Sequence, residues 1–284
     1  MKSISLDSKE LCRLRAYVGG RGLREVDTSS GYEVFRVDDK EKDILLIAYK
    51  SGKLVYSDSD ASRDLIQRVM GAERGFDYIL GTDEAGKGEW YGPLVVECVA
   101  LTPGEIMTLR GLGVRDSKNM RRKTLLGLGR DLTGLGFVRR PLVLMPETYN
   151  RKYEVFKREG KTLNDLLAWA HSRVIKDVLS GLEFENIKVF IDEFDARKTG
   201  FRLGDLSQGV EVIQKTGAES ETPVAAASVL AKFIYEKEVD GLNEKFGVDL
   251  RNSKPGDIPL EILPKVAKLH FRNVSSCRQK QGRL

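Results

Sequence analysis

The stretch IKVFID (187–192) constrains the fold of this 284-residue chain more than any other. A nearly all-apolar run of strand length, ending in an acid, is expected of a strand covered on both faces. It lies in a region, from residue 77 onward, where strand and helix patterns alternate, which points to an α/β unit. YILGTDE (78–84) and GPLVVECVAL (92–101) read as two strands joined in a hairpin through a Gly-rich turn. GFVRRPLVLM (136–145) and VEVIQK (210–215) read as further strands. A long helix is expected over 161–180, where Leu163, Leu166, Leu167, Ala170, Val174 and Val178 recur at helical spacing. A second, Ala-rich helix is expected over 225–239, with Thr222 as its N-cap and Pro223 in its first turn.

Residues 1–70 have a different pattern. A helix is expected at about 7–18, closed by GGRG (19–22). Short strands follow at 31–37, 43–50 and 53–57, the last two joined by a hairpin at SGK (51–53), and then a helix at about 60–72. GAERGFD (71–77) reads as the joint between the two units, and the basic, polar end (278–284) as a fraying tail.

Several function classes are excluded early. No apolar run approaches the roughly 20 residues that span a bilayer. The first residues, MKSISLDSKELCRLRAYV, alternate charges with Leu and Val like an amphipathic helix and lack a signal-peptide core. Cys12, Cys98 and Cys277 are isolated, so reduced thiols and a cytoplasmic setting are expected. A net charge of +5 is weak evidence for a nucleic-acid partner. With only His171 and His270 available, a metal here is expected on oxygen ligands, which favours Mg²⁺ or Mn²⁺.

GTDEAGKG (81–88) opens like a phosphate-binding P-loop, but Gly88 stands where the loop needs Ser or Thr. Asp83 and Glu84 would also face bound phosphate with negative charge, and the next element is a strand rather than a helix. A carboxylate where an apolar strand meets a turn can instead hold a hard cation that attracts phosphate. Gly86 and Gly88 allow close backbone approach, and Lys87 adds positive charge. A solvated acidic turn is the blander alternative. Three other stretches weigh against it. Asp192 ends the strand IKVFID, the same position type as Asp83, and parallel neighbouring strands would bring the two together. Glu219 in GAES (217–220) precedes the Ala-rich helix. Ser117 and Lys118 in DSK put a hydroxyl and an amine in a polar loop. Carboxylates converging without His are a ligand set for two Mg²⁺ ions.

The sequence resembles ribonuclease HIII, within the type 2 ribonuclease H group. The resemblance is carried by GTDEAGKGEWYGPLVV (81–96), RDSKNM (115–120), VFIDEF (189–194), GAESETPVAAASVLAKF (217–233) and AKLHFRN (267–273). It implies a ribonuclease H-like mixed-sheet α/β catalytic domain over 77–284. Ahead of it, YKSGKLVYS (49–57) resembles the small α+β TATA-binding-protein-like domain of that family, placed over 1–72 as a substrate-binding domain. The implied activity is endonucleolytic hydrolysis of the RNA strand of RNA/DNA hybrids by two Mg²⁺ or Mn²⁺ ions, leaving 5′-phosphate and 3′-hydroxyl ends. The implied metal-binding and catalytic set is Asp83, Glu84, Asp192 and Glu219, with Asp195 competing for the fourth place. Gly86, Lys87, Gly88, Ser117 and Lys118 are the expected substrate contacts. A monomer acting on hybrids away from any membrane is expected. Two alternatives stay open: incision at single embedded ribonucleotides, as in ribonuclease HII, and a non-catalytic nucleic-acid binder on the same fold. Gly86-Lys87-Gly88 lies closer to the G-R-G of the HII group, and 246–264 replaces a longer HIII segment.

Overall fold

The computed structural model describes residues 1–70, 75–112, 114, 120–192, 196–204, 206 and 208–281. The chain opens on strand β1 (Lys2–Ser5), where the sequence reading expected the lead-in to a helix. KSIS is too short to show a period, and only its pairing with a distant partner makes it a strand. Helix α1 (Ser8–Gly20) follows, started by a capping box in which Asp7 and Glu10 bond each other's backbone N–H. Then come β2 (Glu25–Val26), β3 (Glu33–Asp39), β4 (Ile44–Tyr49), β5 (Lys53–Tyr56) and α2 (Asp60–Met70). The five strands form one sheet in the order β1-β5-β4-β3-β2, antiparallel throughout. Phe35, Val37, Leu46, Ala48 and Leu54 face the helices and pack on Leu14, Val18 and Ile66. The alternate residues Val34, Arg36, Tyr49 and Val55 face away and are partly or fully exposed.

The second sheet is built from β6 (Tyr78–Ala85), β7 (Leu94–Leu101), β8 (Val138–Leu144), β9 (Ile187–Asp192) and β10 (Val210–Lys215). Its order is β10-β9-β6-β7-β8. The pairs β10/β9 and β9/β6 are parallel, while β6/β7 and β7/β8 are antiparallel. Between them run α3 (Pro103–Gly111), α4 (Arg122–Gly134), α5 (Pro146–Arg158), α6 (Leu163–Leu179) and α7 (Ala196–Leu203). After β10 come α8 (Thr222–Phe246), α9 (Leu263–Val266) and α10 (Arg272–Gln281). One face of the sheet packs Leu80, Cys98, Val189 and Ile191 against Leu166, Ala170 and Val174 of α6. The other packs Ile79, Val99 and Phe190 against Val224, Ala227 and Leu230 of α8. Every residue of β7 is buried, as a strand covered on both faces requires.

α8 lies unusually close to the sheet. A Cβ placed on Gly81 of β6 would stand 2.2 Å from the Val224 nitrogen and 2.8 Å from the Pro223 Cβ. The small residues Ala225, Ala226 and Ala227 in the next turn permit the same approach. Thr222 is not the N-cap expected from the sequence: Glu221 takes that position, and Thr222 is the first helical residue. The Thr222 hydroxyl accepts a bond from Nε of Arg110 on α3 at 2.8 Å, while Nη1 of Arg110 donates to Oε1 of Glu10 on α1 at 2.9 Å. All three residues are buried, so a charged pair joins the N-terminal sheet's helix to the first turn of α8.

Candidate active site

Asp83 and Glu84 lie near the end of β6, and strand alternation sends them to opposite faces. Thr82 is the last β6 residue paired with β9, opposite Ile191, so Asp83 and Asp192 stand on the next rung of neighbouring parallel strands. Asp83 shares its face with Gly81 and accepts a hydrogen bond from Ser228 of α8. Burial, and then the charge of Glu84, push its carboxyl up to about 6, with the Ser228 bond pulling the other way.

Glu84 faces α6. Nε2–H of His171 donates to its Oε2 at 3.1 Å, and the Lys87 ammonium stands 3.2 Å from its Oε1. Burial opposes ionisation of Glu84. The His171 bond and charge, with Lys87, outweigh that and hold the carboxyl down at about 2. His171 is itself buried, and its Nδ1 meets the Thr82 hydroxyl at 2.8 Å.

Asp192 ends β9. Its Oδ1 accepts from the backbone N–H groups of Gly217 at 3.1 Å and Ala218 at 3.2 Å. Gly217, at φ 74°, turns the chain out of β10 into a single 3₁₀ turn, Ala218–Ser220, which carries the partly buried Glu219. The same end of the sheet therefore holds Asp83, Glu84, Asp192 and Glu219. Among the described residues, however, no three His, Cys, Asp or Glu side chains close into a metal-holding group. Asp83 is turned to Ser228 and Glu84 to His171 and Lys87, on opposite sides of the strand.

The donor chemistry fits a divalent cation nonetheless. It is all oxygen, as hard cations require. Asp83 holds a proton unusually well beside a second carboxylate, and a cation can take that proton's place.

Past Ala85 the chain turns at Gly86, at φ 83°, where a Cβ would meet the Pro93 carbonyl oxygen at 2.2 Å. A Cβ on Gly88 would meet nothing within 4 Å, so the backbone there is open to approach. Ser117, Lys118 and Asp195 lie outside the described residues. Sequence reasoning missed His171 and Ser228 as partners of the acids. The signal for His171 was a histidine on the apolar face of a long helix, between Ala170 and Val174. Ser228, inside an Ala-rich run, gave none.

A family model for ribonuclease HII matches residues 80–256. A ribonuclease HIII of Chlamydia pneumoniae is 32% identical over 207 residues, covering 68% of this chain and 67% of that protein. A ribonuclease HIII of Bacillus cereus strain AH187 is 28% identical over 264 residues, covering 80% and 83%. Among solved structures, Bst-RNase HIII in complex with Mn²⁺ aligns with TM-score 0.63 at 24% identity, over 100% of this chain and 99% of its own. Aquifex aeolicus RNase H3 aligns with TM-score 0.56 at 21% identity, over 95% and 100%. At these identities the two structures speak to the fold, which is the mixed-sheet arrangement described above.

Proposed function

We propose a mechanism from the premise that this chain belongs to the ribonuclease HII family, in which the relatives aligned along most of its length are ribonucleases HIII. It is a ribonuclease H, an endonuclease that hydrolyses the RNA strand of RNA/DNA hybrids. Asp83, Glu84, Asp192 and Glu219 would hold the divalent ions, Mg²⁺ or Mn²⁺ and two in number. The Mn²⁺ in the solved relative supports the choice of metal class. When bound, such ions supply Lewis acidity at the scissile phosphate and leave 5′-phosphate and 3′-hydroxyl ends.

The chain's own groups prepare that site. Asp192, its Oδ1 pinned by two backbone N–H groups, presents its other oxygen from a fixed strand end. His171 keeps Glu84 ionised and limits its rotation. The backbone of Gly86 to Gly88, open to approach at Gly88, would bond the ribose 2′-hydroxyl, which separates RNA from DNA. Lys87, Ser117 and Lys118 supply phosphate contacts. Residues 1–72 act as a TATA-binding-protein-like substrate domain, whose uncovered sheet face lies along the duplex, with residues 77–284 as the catalytic domain. The protein works as a monomer in the cytoplasm, in keeping with Cys12, Cys98 and Cys277 all being free thiols.

The observation that supports this reading is the β6/β9 register, in which Thr82 pairs with Ile191 and Asp83 and Asp192 are the next residues, with Glu84 following in the chain and Glu219 in the turn whose Ala218 N–H bonds Asp192. The test is cleavage of two duplexes, a uniform hybrid and a DNA duplex with one embedded ribonucleotide, in Mg²⁺, Mn²⁺ and EDTA. Metal-dependent cleavage favouring the uniform hybrid is expected. Preference for the single ribonucleotide would make it an HII-type enzyme, and cleavage surviving EDTA would remove the metal mechanism.

A further inference from the structure

The motif AKLHFRN (267–273) contributes nothing to the acidic site, yet its lysine is one of the most enclosed side chains in the protein. Lys268 is 0% exposed. Its Nζ donates to the carbonyl oxygens of Glu89 at 3.0 Å and Tyr91 at 2.8 Å. Both belong to the segment that continues the Gly86 turn. The N–H of Glu89 closes that turn on the Gly86 carbonyl at 3.4 Å. The same residue is thus tied to Gly86 by its nitrogen and to Lys268 by its oxygen.

The backbone reinforces the link. Lys268 N–H donates to the Trp90 carbonyl at 2.7 Å, and Gly92 N–H donates to the Val266 carbonyl at 2.9 Å. Asn150 of α5 fixes the far side: its Nδ2 donates to the Ala267 carbonyl at 2.9 Å, and its Oδ1 accepts from Leu269 N–H at 2.9 Å. Tyr149 and His270 also border the ammonium, and neither is an anion. Burial accordingly pulls Lys268 down to about 7, with Glu89 pulling it up. An enclosed lysine facing carbonyls rather than a carboxylate is costly, and an apolar residue of that length would fill the space without that penalty. The cost is offset if the shape it imposes on residues 86–92 matters to the reaction.

We propose that Lys268 is a positioning residue for ribose recognition: through the carbonyls of Glu89 and Tyr91 it sets the Gly86–Gly92 turn at the geometry that bonds the 2′-hydroxyl. The inference rests on the reading of residues 86–88 given above. Lys268 touches no substrate, so its effect falls on discrimination rather than on metal binding.

The experiment measures binding of the full-length protein, in Ca²⁺ buffer, to an RNA/DNA hybrid and to a DNA duplex of the same sequence. Lys268→Met is expected to lower the hybrid-to-DNA preference by roughly tenfold, the scale of one lost hydrogen bond. Binding to the DNA duplex and Mn²⁺ binding should stay unchanged. An undiminished preference in folded Lys268→Met overturns the proposal. So does an equal loss on both duplexes, which general loosening would produce. If Lys268→Met does not fold, Asn150→Ala loosens the same segment with the lysine in place. A lowered preference in that variant supports the proposal and an unchanged one overturns it. A wild-type protein with no preference for the hybrid would sink the assigned function instead.

Discussion

The two five-stranded sheets solve opposite problems. The N-terminal one is antiparallel and covered by α1 and α2 on one side, leaving Val34, Arg36, Tyr49 and Val55 directed away from the core. The second is mixed and covered on both faces, with β7 buried along its whole length. A sheet with a bare face can lie along a polymer, and the buried acid it holds here, Glu33, is bonded to Arg36 and held low rather than raised. A sheet covered on both faces can meet a polymer only at its strand ends. There Asp83 and Glu84, one residue apart, are driven in opposite directions, to about 6 and about 2. The proposed function assigns gripping to the first sheet and chemistry to the second, and the two are linked by Arg110 between Glu10 and Thr222.

That division can be broken at three points. Asp192→Asn should have the largest effect, lowering hybrid cleavage on the order of 10³-fold with substrate affinity nearly kept, because it removes charge where it is needed only during reaction. Near-normal single-turnover rates would contradict the assignment. Arg110→Ala comes next. Taking one partner from a buried pair costs about 3–5 kcal/mol, read as a lowered urea midpoint. A variant as stable as wild type would mean that the two sheets are not joined there. Tyr49→Ala on the bare face should have the smallest effect, a few-fold rise in KM with kcat unchanged. A fall in kcat with KM unchanged would place that face in the chemistry after all.

What was legible in the sequence follows the same division. IKVFID announced a doubly covered strand because burial on both sides leaves no polar alternation, and β9 ends on Asp192 as expected. The hairpin through residues 86–92 and the parallel neighbour of β6 were readable for the same reason. β1 was not, since its strand character comes from pairing with β5 some 50 residues on. The partners of the acids were illegible too. His171 meets Glu84 across 87 residues of chain, and Arg110 meets Thr222 across 112. Thr222 before Pro223 carries every local mark of a cap, but a long-range arginine claims its hydroxyl.

Calorimetric titration of Mn²⁺ into the wild-type protein across pH tests the central claim most directly. If Asp83 holds the cation as proposed, it must first lose a proton titrating at about 6, so Mn²⁺ should bind with nearly constant affinity from pH 7.5 down to that value and weaken towards tenfold per unit below it. No binding at pH 7.5, or an affinity indifferent to pH between 7.5 and 5, would contradict the account.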